Sequence, residues 1–322
     1  NKHINTKVEL IAKSFEEELL EEINTVRKSK GQKEFSSIIK EELVYDEKTG
    51  ESKKVAITKQ IKESKTDPES GYYHKGEKEK MFAYSHHVAV EKNGFVVHTS
   101  VMPGNVHDSV SFFPVVNSLK SEHSNKGIKN LVLDAAYFIP AICRDIIKSE
   151  WIPLMPYVRP RTKQGFFKKY DYVYDEYFDC YICPNNHILT YHTTDKQGYK
   201  HYKSEGKICE KCPDLHRCTQ SKTHQKVITR HVWEEYKEIT RENRYTQNWK
   251  ENYPLRKETI ERCFGECKEH HTLRFTRFKG IQKNQDNSYM IFASYNLKKM
   301  ALKYSKKPKY YKKKMTVDKK SQ

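Results

Sequence analysis

The sequence predicts an α/β chain: a mixed sheet flanked by helices and interrupted by a small Cys-rich segment. Three observations predict it. Two β-patterned stretches, FAYSHHVAVE (82–91) and GFVVHTSV (94–101), meet at an Asn-Gly turn, as the arms of a hairpin do. The stretch IKNLVLDAAY (128–137) holds an uninterrupted apolar run, Leu131, Val132 and Leu133, as a strand buried on both faces does. Stretches of helical periodicity alternate with these strands, the pattern of a sheet with helices on its faces. The 322 residues suffice for one large domain or two smaller ones.

Taken in order, residues 5–28 repeat apolar side chains at three and four (Val8, Ile11, Phe15, Leu19, Ile23, Val26), so a helix is expected that packs on its own domain. Residues 29–63 are charged and weakly patterned and read as a linker with one short helix, which closes a first segment at 1–63. Residues 64–76 are rich in turn dipeptides, among them Asp67-Pro68 and Ser70-Gly71, and read as a loop. Asp67 is either a turn residue or a metal ligand. After the hairpin, the run MPGNVHDS ends the strand, and Asp108 is expected to cap a helix over 109–119. His107 and Asp108 either form that cap or face an active site. Asp134 follows the buried strand at its carboxyl end, where open α/β sheets place ligands. Its alternative role is to cap the next turn. A helix over 140–149 and a strand over 152–157 complete a sheet segment spanning 64–160. No convincing strand precedes Phe82, so the central first strand of this sheet is expected to be missing.

Five of the eight cysteines fall between Cys180 and Cys218, inside a segment spanning 161–226. Cys180, Cys183, Cys209 and Cys212 form two C-x2-C pairs, each followed by proline, and four thiolates on two tight knuckles can hold a structural Zn2+. Cys218, His187 and His216 are possible substitutes among the ligands, and buried free thiols are the alternative. Cys143, Cys263 and Cys267 fall on apolar faces and read as core.

Residues 227–304 return to the α/β pattern, with a strand over 227–232, a helix over 234–250 and the stretch NYPLRKETIERCFGECKEHHTLRFTRFKG (252–280). Asn252 is placed to cap a helix and Pro254 to sit in its first turn. Leu255, Ile260, Cys263, Phe264 and Cys267 make an apolar stripe. Lys257, Glu261, Gly265 and Lys268 share another face, because steps of four and seven return to the same side. That face combines a carboxylate, two ammonium groups and a residue with no side chain to obstruct a ligand; a solvated amphipathic face is the plain alternative. RFTRFKG then interleaves Arg274, Arg277 and Lys279 with Phe275 and Phe278, a composition suited to a nucleic-acid backbone and its bases. A last helix is expected over 287–304, with Met290, Ile291, Ala293, Leu297, Met300 and Ala301 inward.

The net charge of +18 favours a polyanionic partner such as nucleic acid. The last 26 residues hold eleven Lys and one Asp, so +10 of that charge sits there, and 305–322 reads as a basic tail. No run of eighteen apolar residues exists, so no membrane span is expected, and no signal peptide is visible.

LVLDAAY, the Cys-rich segment and Y-x2-R-x4-E-x6-K (Tyr253, Arg256, Glu261, Lys268) together resemble the DDE transposases of bacterial insertion sequences, as do PGNVHDS and RFTRFKG. The resemblance spans residues 64–302. It implies an RNase H-like catalytic fold in which carboxylates hold Mg2+ (or Mn2+) for phosphodiester cleavage and strand transfer at transposon ends. Carried over by motif, Asp134 is the second carboxylate, Glu261 the third, and Lys268 a terminal-strand phosphate contact. Arg256 has the same role, although its spacing to Glu261 is one residue longer than the family's. Lys257, Arg274, Arg277 and Lys279 are the further DNA-binding candidates. The resemblance also implies DNA as partner, a homo-oligomer on paired ends, and a cytoplasmic, nucleoid-associated protein. The family's Asp-Gly-Thr-like first-carboxylate motif is absent. The expectation is therefore an amino-terminally truncated copy, with the first carboxylate upstream of Asn1 or at Asp67, and with little activity alone. The alternative is a non-catalytic, zinc-containing DNA-binding remnant.

Overall fold

The computed structural model describes residues 2–4, 15–38, 41–46, 51–56, 59–76, 79–122 and 127–305. The first part of the expected 5–28 helix and the basic tail beyond residue 305 lie outside them. The chain divides into two compact units: one is Asn1–His3, Gln60–Ile128 and Gln247–Gln322, the other Ile4–Lys59 and Lys129–Thr246. Both mix helices and strands, so the α/β class is observed.

In the first unit the expected hairpin is present as strands Glu79–Val90 and Val96–Pro103, antiparallel, with Gly94 at φ +82° in the turn. A third strand, Gly71–Lys75, pairs with the hairpin inside the stretch read as a loop. The turn signals of 64–76 end at Ser70; GYYHK after them is strand. Gly71 has a steric reason to be glycine. A Cβ there would stand 2.1 Å from Asn105 Oδ1 and 2.5 Å from the Gly104 and Asn105 amides. The Pro103-Gly104-Asn105 turn therefore lies flat on the strand. The following helix runs Asp108–Glu122 and buries Phe112, Phe113, Val116 and Leu119. His107 rather than Asp108 serves its first turn: the Ser109 amide donates to His107 Nδ1 at 3.2 Å.

The last helix is Ile281–Ser305, six residues longer at its start than expected, and its inward face differs. Ile291 is buried as expected, but with Asn284, Ser288, Phe292 and Tyr295, whereas Met290, Leu297 and Met300 are exposed. The reason is polar. Val96–Pro103 is an edge strand of the three-stranded sheet, and side-chain amides of the helix pair its backbone. Gln285 accepts from the Val101 amide at 2.8 Å and donates to Thr99 O at 2.9 Å. Asn296 accepts from the Val96 amide at 2.9 Å and donates to Val96 O at 2.8 Å. Eleven helical residues and five strand residues both span about 16 Å, so the two clamps match in register. An apolar-stripe reading cannot find a face whose contacts are amides. Below it, Cys263, Cys267, Ile291, Phe292 and Tyr295 form a core cluster, as expected for the two cysteines.

In the second unit helix Glu16–Ser29 buries Leu19 and Ile23 against Ile38 and Trp233, as its apolar stripe predicts. Glu18 pairs with Arg144, whose guanidinium lies 4.3 Å over the Trp233 ring. The stretch read as a linker instead forms an antiparallel pair, Glu41–Asp46 with Glu51–Ala56. Asn130–Val132 and Ile152–Leu154 form a parallel pair joined by helix Pro140–Lys148, a β-α-β unit. Leu131, Val132 and Leu133 are half-buried there rather than covered on both faces.

The Cys-rich segment supplies four strands of a five-stranded antiparallel sheet in sequence order, Val173–Asp175, Cys180–Ile182, Ile188–Thr194 and Tyr199–Lys203, and the strand expected after it, Val227–His231, joins this sheet as the fifth. They close on a core of Tyr172, Tyr181, Leu189, Tyr202 and Ile228. The helix expected over 234–250 stops at Glu242 and continues as the 3-10 turn Asn243–Tyr245.

Candidate functional site

The stretch carrying Glu261 is helical but not uniformly so. Tyr253–Arg256 is a 3-10 turn, Lys257–Glu261 a π turn and Arg262–His270 an α-helix. Pro254 sits in the first turn as expected; Asn252 instead donates to Asn248, so it does not cap. The apolar stripe is anchored by buried Cys263 and Cys267, and this leaves Lys257, Glu261, Gly265 and Lys268 exposed. Glu261 has no hydrogen-bond or ion-pair partner among the described residues. The π turn bears on Arg256. Such a turn contains one residue more than an α-helical turn. Across it, positions i and i+5 take the relation that i and i+4 have in an α-helix, so the longer R-x4-E spacing keeps Arg256 in phase with Glu261. Arg256 also donates to Tyr253 Oη at 3.2 Å, and Tyr253 stacks on Trp249 at 4.6 Å and 7°.

Lys268 projects past the Phe264 ring, its Nζ 5.9 Å from the centroid. Beyond the helix, Phe275 is 81% exposed and Phe278 is exposed beside Arg277 and Lys279. Arg274 pairs with Glu269, a surface ion pair that contributes little to stability. This unit thus presents cations, two exposed rings and, among the described residues, two carboxylates without a hydrogen-bond or ion-pair partner, Glu258 and Glu261, along a single continuous stretch.

Asp134 lies in the other unit. It follows the parallel strand Asn130–Val132 and caps the 3-10 turn Ala135–Tyr137, its Oδ1 accepting the Ala136 amide at 2.9 Å. Its second oxygen has no partner among the described residues, so capping and a ligand role are compatible. Asp67 is different. Tyr84 Oη donates to both of its oxygens, at 2.9 and 2.8 Å, and the Gly280 amide donates to Oδ1 at 3.2 Å. Glu69 accepts the Ile281 amide at 2.8 Å. The two carboxylates cap the Ile281–Ser305 helix, where negative charge complements the N-terminal end of the dipole. Burial, with the Asp67 carboxylate second, pushes the Tyr84 hydroxyl far above the ordinary tyrosine range. Sequence reasoning had no signal for this contact, which joins residues 213 apart.

The four expected zinc ligands do not come together as two knuckles. Cys180–Ile182 is a β-strand, and an odd offset along an extended chain places side chains on opposite faces. Cys180 is buried near Asp175 and Asp179. Cys183 lies past the strand end, in a turn closed by the Asn186 amide on Cys183 O at 2.9 Å. Cys209 and Cys212 do form a turn, with the Cys212 amide 3.0 Å from Cys209 O. Among the described residues no three His, Cys, Asp or Glu side chains stand in positions to hold a metal ion. No helix among them is long and apolar enough to cross a membrane.

No curated protein and no solved structure matches the chain. Residues 182–301 match the family model of the transposase DDE domain, a stretch that includes Tyr253, Arg256, Glu261 and Lys268 but not Asp134. Over residues 182–301 the chain is therefore similar to the DDE domain of transposases.

Proposed function

We propose that the chain cleaves and joins DNA at insertion-sequence ends by divalent-metal-dependent phosphodiester chemistry, on an RNase H-like core. The observation that carries this reading is Glu261: an exposed carboxylate without a partner among the described residues, flanked on its own face by Lys257 and Lys268 and lying within the matched transposase domain. Asp134 and Glu261 are assigned as metal-holding carboxylates. Their oxygen donors are of the kind that Mg2+ and Mn2+ take. A divalent metal held by these carboxylates would supply the charge that neutralises the phosphate as negative charge develops on it during cleavage. Lys268 and Arg256 hold the terminal strand by its phosphates. Arg277 and Lys279 track the backbone, and Phe275 and Phe278 stack on bases. DNA is the partner, and a homo-oligomer on paired ends is the working assembly, in the cytoplasm at the nucleoid.

A second reading, a DNA-binding protein without cleaving chemistry, is favoured by the engagement of Asp67: both its oxygens accept from Tyr84 Oη and Oδ1 also accepts the Gly280 amide at the start of the Ile281–Ser305 helix, so Asp67 does not supply a third metal-holding carboxylate. Two measurements separate the readings. One is nicking of a supercoiled plasmid carrying transposon ends with Mn2+; the other is Mn2+ binding by the chain itself. The transposase reading expects Glu261→Gln to abolish nicking and, with Asp134→Asn, to weaken Mn2+ binding. Salt-sensitive DNA binding with Mn2+ affinity unchanged in both variants would sink it and leave the second reading.

A further inference from the structure

We propose that Cys183, Cys209, Cys212 and Cys218 form a tetrathiolate Zn2+ site, with Cys180 excluded from it. All four line one cavity of about 20 Å³ in the second unit, together with His187 and Lys226. That is room for a single water-sized species. They reach it from three separate pieces of chain: the turn after strand Cys180–Ile182, the turn between Cys209 and Cys212, and helix Leu215–Cys218. Cys218, not Cys180, is thus the fourth thiol, and all eight cysteines of the chain are free of disulfides.

The surroundings suit thiolates. The His187 amide donates to Cys183 Sγ at 3.3 Å and Asn185 Nδ2 to Cys212 Sγ at 3.0 Å. The Tyr172 hydroxyl lies 3.1 Å from Cys218 Sγ. Donors aimed at sulfur disperse the charge of a metal-bound thiolate and orient it. Lys226 places its ammonium 2.9 Å from Cys218 O, a cation beside what becomes a dianionic cluster. Cys209 Sγ lies 3.2 Å from Ser204 Oγ, and no three of the side chains stand in positions to hold a metal ion as they are, so metal binding requires the thiols, Cys209 among them, to turn toward one another within the cavity. Binding releases one proton from each thiol and forms four Zn–S bonds; no electron moves. A four-sulfur tetrahedral set selects Zn2+ or an iron–sulfur cluster, and a space sized for one atom selects the single ion.

The site has a structural role. The five-stranded sheet closes on tyrosines and few aliphatic side chains, and the segment from residue 204 to 226 is held to it by short helices and turns. A metal joining Cys183 on the sheet to Cys209, Cys212 and Cys218 on that segment fixes the two together. The proposal is independent of the transposase reading.

The test is metal content of the purified full chain by plasma mass spectrometry, with about one zinc per chain expected. Cys183→Ser and Cys218→Ser should each lose most of the zinc, and Cys180→Ser should keep it. Since the first two variants can also fail to fold, the unaltered chain is stripped and titrated with Co2+. Visible d–d bands of tetrahedral cobalt with thiolate charge transfer, saturating at one equivalent, are expected. Absence of both zinc and the cobalt spectrum overturns the proposal. So does loss of zinc in Cys180→Ser equal to that in Cys218→Ser, or iron in place of zinc.

Discussion

Replacing Asp67 with alanine separates a structural carboxylate from a catalytic one. In the structure Asp67 accepts from Tyr84 Oη and from the Gly280 amide, at the entry to helix Ile281–Ser305. A hydrogen bond to a charged acceptor contributes about 1.5–3 kcal/mol net when well buried. Asp67 and Tyr84 are only half-buried, so the lower end applies to that pair. Loss of the charge from the helix terminus adds about 0.3–1 kcal/mol. The expected cost of Asp67→Ala is thus about 2–2.5 kcal/mol. It should appear locally, as exchange of the amides in the first turn of Ile281–Ser305 faster by about 30-fold at 2 kcal/mol. Hydrogen–deuterium exchange with peptide resolution reads this directly. Tyr84→Phe should cost about 1 kcal/mol, and the double variant should show about 1 kcal/mol of coupling because the two groups touch. Unchanged exchange across the helix start in Asp67→Ala, together with loss of Mn2+-dependent nicking, would refute the reasoning and restore Asp67 as a metal ligand.

Two further expectations concern the Glu261 stretch and acid. Deleting Glu258 should convert the π turn Lys257–Glu261 to an α-helical turn and leave Arg256 and Glu261 in phase, so affinity for end DNA should stay within about threefold, whereas inserting one alanine after Gly265 turns Lys268 by about 100° and should lower it; a tenfold loss on deletion contradicts this. Stability should fall as pH drops from 6.5 towards 4. His86, which meets Ser288 at 3.1 Å, is pulled down to about 4 by burial and then by His87, and burial likewise takes His231 to about 4. Below the ordinary value of 6.5 the unfolded chain binds protons that these buried rings refuse, so unfolding gains until the folded rings titrate. Urea midpoints across that range measure the slope, and His86→Gln should flatten it; an unchanged slope removes His86 as a cause.

What the sequence disclosed and what it hid follow from the range of the forces involved. The hairpin, the strand before Asp134 and the helix over Cys263 and Cys267 rest on periodicity and turn chemistry that neighbouring residues supply, and all were legible. Asp67 was ambiguous because its partners, Tyr84 and Gly280, lie far along the chain. The last helix was mis-phased because Gln285, Ser288 and Asn296 face the sheet edge with polar groups, which a hydrophobic stripe treats as outward. The cysteines make the general point most sharply. Cys180–Cys183 and Cys209–Cys212 have the same spacing, yet one pair begins in a β-strand and the other closes a turn. A ligand motif is a statement about backbone conformation as much as residue type. The strand Cys180–Ile182 is fixed by cross-strand pairing with Val173–Asp175 and Ile188–Thr194. That pairing keeps Cys180 out of the cavity lining, whereas Cys218, whose distance along the chain fits no knuckle spacing, is brought by its helix to line the same cavity as Cys183, Cys209 and Cys212.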